Sequence, residues 1–197
     1  MIIGITGGTG SGKTTLLSMA QEQGYQVLDC DEIYRGLLRE DRGLLAAIEA
    51  RFPGVVADGQ LQRKQLGRLV FQDAAALADL NAITHGAIIC EVKKRLTPHT
   101  AIDAIALFES GLSSLCDVTV AVTAPIEQRV RRLMVRDQIT DQYARSRIAA
   151  QQSDDWYEAR CHVILKNDGD ADSFRLKCLA FFEDWGIMKE KTKEETP

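Results

Sequence analysis

The stretch GITGGTGSGKTT, residues 4–15, crowds glycine and hydroxyl residues around one lysine, directly behind the apolar start Met1, Ile2 and Ile3. Gly7, four intervening residues and then Gly12-Lys13-Thr14 satisfy the phosphate-binding loop pattern G-x-x-x-x-G-K-[ST]. The chemistry demands these residue types. Glycines let the backbone turn so that successive N–H groups point inward and form a concave anion site. A helix starting at Lys13 adds its positive dipole end to the same spot. The Lys13 ammonium reaches the β- and γ-phosphates, and the Thr14 hydroxyl completes a magnesium shell. With glycine at about 7% of residues, an accidental match in a chain of this length is of order one in a hundred. The position between a strand and a helix lowers it further. Nucleotide triphosphate with magnesium is therefore the expected ligand, cradled by Gly8, Thr9, Gly10, Ser11, Gly12, Lys13, Thr14 and Thr15.

Outward from the loop, the pattern predicts alternating strands and helices. Met1 to Thr6 is β-branched and apolar and reads as a buried strand; TTLLSMAQEQ reads as a helix ended by Gly24. Further strands are predicted at Tyr25–Asp29, Ala101–Glu109, Asp117–Ala124 and His162–Asp168. IEQRVRRLMVRD, ITDQYARSRIAAQQ and SFRLKCLAFFEDW read as helices. From Asp31 to about Leu96 the texture is helical, broken only at Pro53-Gly54 and Asp58-Gly59. Strands alternating with helices imply a parallel sheet covered on both faces. The expected α/β chain has a core of about 1–30 plus 100–190 and an inserted helical lobe of about 31–99.

Composition narrows the function. The 197 residues suffice for one domain with an inserted lobe, and 45% apolar with 26% charged residues is ordinary for a globular protein. No apolar run approaches the roughly 20 residues of a membrane span, and the N-terminus lacks the pattern of a secretory signal. A net charge of -4 argues against general nucleic-acid binding. The cysteines Cys30, Cys90, Cys116, Cys161 and Cys178 are odd in number and widely spaced, without a CxxC pair, so reduced thiols and a cytoplasmic location are expected. The charged tail KEKTKEETP is expected to fray.

A bound triphosphate leaves open transfer or hydrolysis, and transfer needs an acid or base near an acceptor hydroxyl. LDCDEIYR places Asp29, Asp31 and Glu32 at the end of the second strand, on the rim that faces the ligand crevice in open α/β sheets. Asp31 is the candidate base or magnesium partner; helix capping explains the same residues equally well. Glu109, in ALFES, closes the predicted third strand on the same rim. Arg132 and Arg136 lie four apart on the basic helix, on one face, where they suit charge neutralisation on a transferring phosphoryl group. A solvated basic face explains them as well.

Taken together, these pieces resemble the dephospho-CoA kinases, a P-loop nucleoside-kinase-like family. The resemblance spans nearly the whole chain: TGGTGSGKTT (6–15), LDCDEIYR (28–35), DGQLQRKQLGRLVF (58–71), LNAITH (80–85), LFESGL (107–112), EQRVRRLMVRDQIT (127–140), RIAAQQS (147–153) and KNDG (166–169). It implies a five-stranded parallel P-loop kinase core with a helical acceptor-binding lobe and a helical lid of about 126–150. The implied reaction is ATP-dependent phosphorylation of the ribose 3'-hydroxyl of dephospho-CoA, the last step of coenzyme A synthesis. By the resemblance, Asp31 is the general base and a magnesium partner, Lys13 and Thr14 hold phosphate and magnesium, and Arg132 is the lid arginine near the transferred phosphate. His85 faces the CoA side, with Glu109 and Arg35 beside the acceptor, while Asn167 and Gly169 fall near the adenine and Arg136 joins the ATP contacts. The implied partner is a small molecule, with neither nucleic acid nor membrane, on a monomer or weak homo-oligomer.

The chain departs from the family pattern in three places. Gly86 follows His85 where the family has proline, Ile105-Ala106 replaces a proline-leucine pair, and Cys161-His162 replaces Ala-Asp. These changes leave the candidate catalytic groups in place but touch the acceptor side or the framework. A kinase for another nucleotide-like acceptor, or a nucleotide-binding switch without transfer, is therefore carried as an alternative.

Overall fold

The structure, a computed structural model, describes residues 1–187. The predicted charged tail, residues 189–197, lies outside these residues. A five-stranded parallel sheet forms the centre, in the order β2-β5-β1-β6-β7. Its strands are β1 (Ile2–Thr6), β2 (Gln26–Asp29), β5 (Thr100–Asp103), β6 (Val118–Thr123) and β7 (Val163–Lys166). In β6 all six residues are buried, as a near-continuous apolar run should be in a sheet covered on both faces. β1 lies in the middle, paired with β5 (Ile3 opposite Ala101) and with β6 (Ile3 opposite Val118), so the loop that follows it opens at the centre of the sheet's carboxyl rim.

One face is covered by α1 (Lys13–Glu22) and α9 (Ala171–Asp184). Leu16, Met19, Phe174, Cys178 and Phe182 pack there against Ile3, Ile5, Val120 and Val122. The other face is covered by α2 (Cys30–Glu40) and α5 (Ala74–Arg95), through Ile33, Ile88 and Val92, together with Leu107 and Leu112. Between β2 and β5 the chain also forms α3 (Arg42–Arg51), α4 (Arg63–Val70) and a small antiparallel ribbon, β3 (Val56–Ala57) with β4 (Gln60–Leu61). These helices share a separate core around Leu45, Ile48, Phe52 and Leu66. Beyond β6, α6 (Ile126–Asp137) and α7 (Asp141–Ala149) form a hairpin closed by Val130, Leu133, Ala144 and Ile148.

Four expectations are corrected. The predicted strand Ala101–Glu109 ends at Asp103. Ala104 N–H donates to the Ile5 carbonyl (3.1 Å), which is the last rung available because β1 leaves the sheet at Gly7. The chain then curls, with Ser110 N–H donating to the Ala106 carbonyl (2.9 Å) and Leu107 fully buried beneath. The ribbon at 56–61 replaces the helical texture because Asp58 (φ 52°) and Gly59 (φ 72°) both take positive φ, the geometry of a type I′ hairpin turn. A short helix, α8 (Asp154–Glu158), stands where none was predicted, capped by Ser153 Oγ accepting from Trp156 N–H (3.2 Å). Finally, an apolar run of membrane length does exist. The 22-residue α5 is long and apolar enough by composition to cross a bilayer. In this fold it packs against α2, α3 and α4 and presents His85 and Thr84 to a cavity.

Candidate active site

Gly7, Gly10 and Gly12 of the loop all take positive φ. Gly12 shows the requirement most sharply: it caps α1 at φ 109°, and a Cβ there would lie 2.2 Å from the Asn167 amide nitrogen. The loop is held by side chains from elsewhere in the chain. Asn167, buried, donates to the Ser11 carbonyl (2.8 Å). Arg132 donates from Nη1 to the carbonyls of Gly10 (3.1 Å) and Ser11 (3.2 Å), and from Nη2 to Asn167 Oδ1 (3.3 Å). Lys13 curls back so that Nζ donates to the Gly7 carbonyl (2.8 Å). Burial lowers the Lys13 pKa, against Asp103 and Asp31, which raise it.

A cavity of about 680 Å³ opens over this loop. Its floor is Thr9, Gly10, Gly12, Lys13 and Thr14; three carboxylates, Asp29, Asp31 and Asp103, stand on one wall. The opposite wall is basic, with Arg131, Arg132, Arg136 and Arg147 from the α6–α7 hairpin. Asp137 orients two of these: it accepts from Arg136 Nε (2.7 Å) and Arg147 Nη1 (2.6 Å), chiefly through Arg136, and its own pKa drops to about 2. A second cavity of about 240 Å³ adjoins the first, lined by Tyr34, Asn81, Thr84, His85, Ala106 and Ser110 among others. Asp31 and Ile105 line both cavities, so they stand at the junction.

The helix-capping alternative for Asp31 is now settled by geometry. The cap of α2 is Asp29, whose Oδ1 accepts from Glu32 N–H (2.9 Å). Asp31 sits in the first turn beyond the cap, exposed toward the cavities.

Asp103 is the group that sequence reasoning missed. It ends β5 beside β1, one side-chain oxygen is buried without a hydrogen-bond partner, and its pKa is pushed up to about 6. Burial is the main cause, with Asp29 and Asp31 adding to it and Lys13 opposing. The signal was a carboxylate set inside the apolar run AIDAIALF, obscured by reading AIDAIALFE as one long strand.

The remaining candidates are scattered more widely. His85 lines the second cavity, and burial lowers its pKa despite the nearby charge and carbonyl of Glu109. Glu109 lines neither cavity; its Oε1 accepts from Gln152 Nε2 (3.0 Å). Arg35 is exposed one turn beyond Asp31 on α2 and also lines neither. The Asn167 amide is already engaged with the loop and Arg132, and Gly169 lies in the turn before α9, outside both cavity walls. Of the family departures, Cys161-His162 lies at the far end of the sheet, where His162 Nδ1 meets the Thr119 N–H (3.0 Å). Gly86 faces open space, whereas Ile105 and Ala106 wall the second cavity.

Among the described residues no group of three or more His, Cys, Asp or Glu side chains converges as a metal cage. The donors near the loop are instead hard oxygens: the exposed Thr14 hydroxyl, the Asp31 carboxylate and the partnerless Asp103 oxygen. That set suits a hydrated magnesium ion rather than a softer metal.

Comparison with known proteins follows this geometry. The model of the dephospho-CoA kinase family matches residues 1–173. A dephospho-CoA kinase from Moorella thermoacetica is 37% identical over 193 residues, covering 93% of this chain and 91% of that protein. The crystal structure of TT1252 from Thermus thermophilus is 33% identical and superposes with a TM-score of 0.78, covering 94% of this chain and 97% of that one. A dephospho-CoA kinase from Campylobacter jejuni shares the fold at 22% identity and a TM-score of 0.66, over 93% of this chain and 96% of its own.

Proposed function

The chain belongs to the dephospho-CoA kinase family, and from that premise we propose how its residues divide the work. The reaction is ATP-dependent phosphorylation of dephospho-CoA, at the ribose 3'-hydroxyl, to give coenzyme A. The triphosphate lies along the loop from Gly8 to Thr15, and dephospho-CoA presents its ribose from the second cavity. One observation carries this reading: Asp31 lines both cavities, between the loop and the pocket that holds His85.

Asp31 accepts the proton of the 3'-hydroxyl as that oxygen bonds to the γ-phosphorus. The bond from the γ-phosphorus to the bridging oxygen breaks, and ADP leaves. Lys13 and the arginine wall offset charge on the transferring group, which positioned cations do best in a water-poor site. Arg132 serves twice, since its hold on the Gly10 and Ser11 carbonyls also sets the loop's course. Arg136 faces the phosphates with its position fixed by Asp137. Thr14, Asp31 and Asp103 would hold magnesium, which when bound supplies charge neutralisation on the phosphates. His85, neutral through burial, contacts the acceptor, with Glu109 behind it and Arg35 on the open side. Asn167 acts on ATP by supporting Ser11 rather than by touching the base, with Gly169 in the adjoining turn. Helices α2–α5 form the acceptor lobe and α6–α7 the lid. We place the protein in the cytoplasm, acting on a small molecule alone, as a monomer or weak homo-oligomer.

The test is ADP release with dephospho-CoA, adenosine and AMP offered separately. Dephospho-CoA should stimulate release strongly. Stimulation by AMP alone would mean that the change at Ile105-Ala106 has redirected the acceptor pocket, and no stimulation by any acceptor would leave a nucleotide-binding switch. Asp31→Asn should keep ATP binding and lower turnover about 10²–10⁴-fold; intact turnover would remove Asp31 from the mechanism.

A further inference from the structure

Arg129, on the first turns of α6, is only 4% exposed. Its Nε donates to the Thr9 carbonyl (2.9 Å) and its Nη2 to Gln151 Oε1 (2.9 Å). The same Gln151 oxygen accepts from the Thr9 N–H (2.8 Å). Both main-chain groups of one loop residue are thus engaged, by two side chains that also bond each other. Gly8 rests on the guanidinium so closely that a Cβ there would lie 2.1 Å from Nη2. The buried cation therefore lies directly under the phosphate loop, and its hydrogen bonds end on neutral oxygens. Its charge reaches the interior of the loop, where it contributes to the lowered pKa of Lys13 behind the larger effect of burial. Burial lowers the Arg129 pKa, against the charges of Asp154, at the start of α8, and of Tyr157, which raise it.

We propose that Arg129 is a fixed positive charge that strengthens triphosphate binding from beneath the loop, and that Gln151 is the positioning residue that holds it there without neutralising it. A glutamate at 151 would supply the same acceptor geometry and a stronger bond to the guanidinium. It would also cancel the charge. Glutamine gives the geometry alone, and a buried charge is screened far less by salt than one on the surface. This inference rests on the assignment of the loop to ATP.

The experiment measures ADP affinity by calorimetry on the full chain, together with Tm. Gln151→Glu should keep or raise Tm, because it pairs a buried cation, yet weaken ADP binding about tenfold. Unchanged ADP affinity with that Tm overturns the proposal. Should Gln151→Glu not fold, the pair Arg129→Lys and Arg129→Met decides: the lysine variant retains most of the affinity and the methionine variant loses about tenfold. Equal affinities in the pair overturn it. Gln152→Ala removes only the exposed bond to Glu109 and should leave ADP affinity unchanged; a tenfold loss there would point to backbone disturbance and count against the proposal. A wild-type chain that binds no ADP sinks the loop assignment itself, and this inference with it.

Discussion

Asp103 is a carboxylate that holds its proton up to about pH 6, and the cause is local. Its ordinary pKa of 3.8 rises to about 6 because burial and the charges of Asp29 and Asp31 outweigh the attraction of Lys13. The sign for stability follows. Between those two values the folded chain keeps a proton that the unfolded chain has already lost, so stability falls as pH rises through that window. The penalty is complete above about pH 6 and absent below the unfolded value. Asp103→Asn should therefore stabilise the metal-free protein at pH 8 by about 3 kcal/mol and leave it nearly unchanged at pH 4. Urea denaturation in chelator at the two pH values checks this, and an equal effect at both would refute the assignment. Lys13, Thr14 and Asp31 were legible from their motifs, because their spacing is local. Asp103 was not, since what makes it part of the site is the neighbouring strand β1, nearly a hundred residues earlier in the chain.

At the scale of elements, α2 shows how a cap frees a neighbouring side chain. Asp29 accepts from Glu32 N–H, which satisfies one of the helix's orphan donors and lets Asp31 face the cavities. Asp29→Ala should cost about 1 kcal/mol of stability and lower turnover as the first turn frays, while Asp29→Asn, which keeps the cap, should preserve stability. Thermal melts with steady-state rates for both variants separate cap from charge; equal melts would mean the cap carries nothing. The helices α1, α6 and α9 were readable as the helical stretches that follow β1, β6 and β7. The β3–β4 ribbon was missed although Asp58-Gly59 is a hairpin signal, because two-residue strands carry no periodicity to read. The early end of β5 was missed because Ala101–Leu107 stays apolar beyond Asp103. The apolar residues after the strand serve a buried turn instead, with Leu107 and Leu112 under α5.

Across the whole molecule, separate apolar cores serve the two cavities. The core around Phe182 and Ile3 supports the phosphate loop, and the core around Ile48 and Phe52 supports the helices beside the second cavity. Tyr34 and Leu37 of α2 pack against both the latter core and the one beneath α5, which joins them. Ile48 is fully buried within α3. Ile48→Ala should cost about 2–5 kcal/mol on large-to-small grounds and raise the KM for dephospho-CoA more than the KM for ATP. Two KM values and one denaturation curve test it; a matched rise in both would show that the two parts do not behave separately. The phosphate loop, the alternation of strands and helices, the inserted helical stretch and the base candidate are written in the sequence, because each depends on residues within a dozen positions of one another. Tertiary structure alone decided that Asp103 rather than Glu109 stands beside Lys13, that Asp29 caps so that Asp31 need not, and that Arg129, Arg132 and Asn167 grip the loop from α6 and from just beyond β7. Those groups are brought together by parallel pairing and crossover connections, and their contacts leave no periodic mark on the chain.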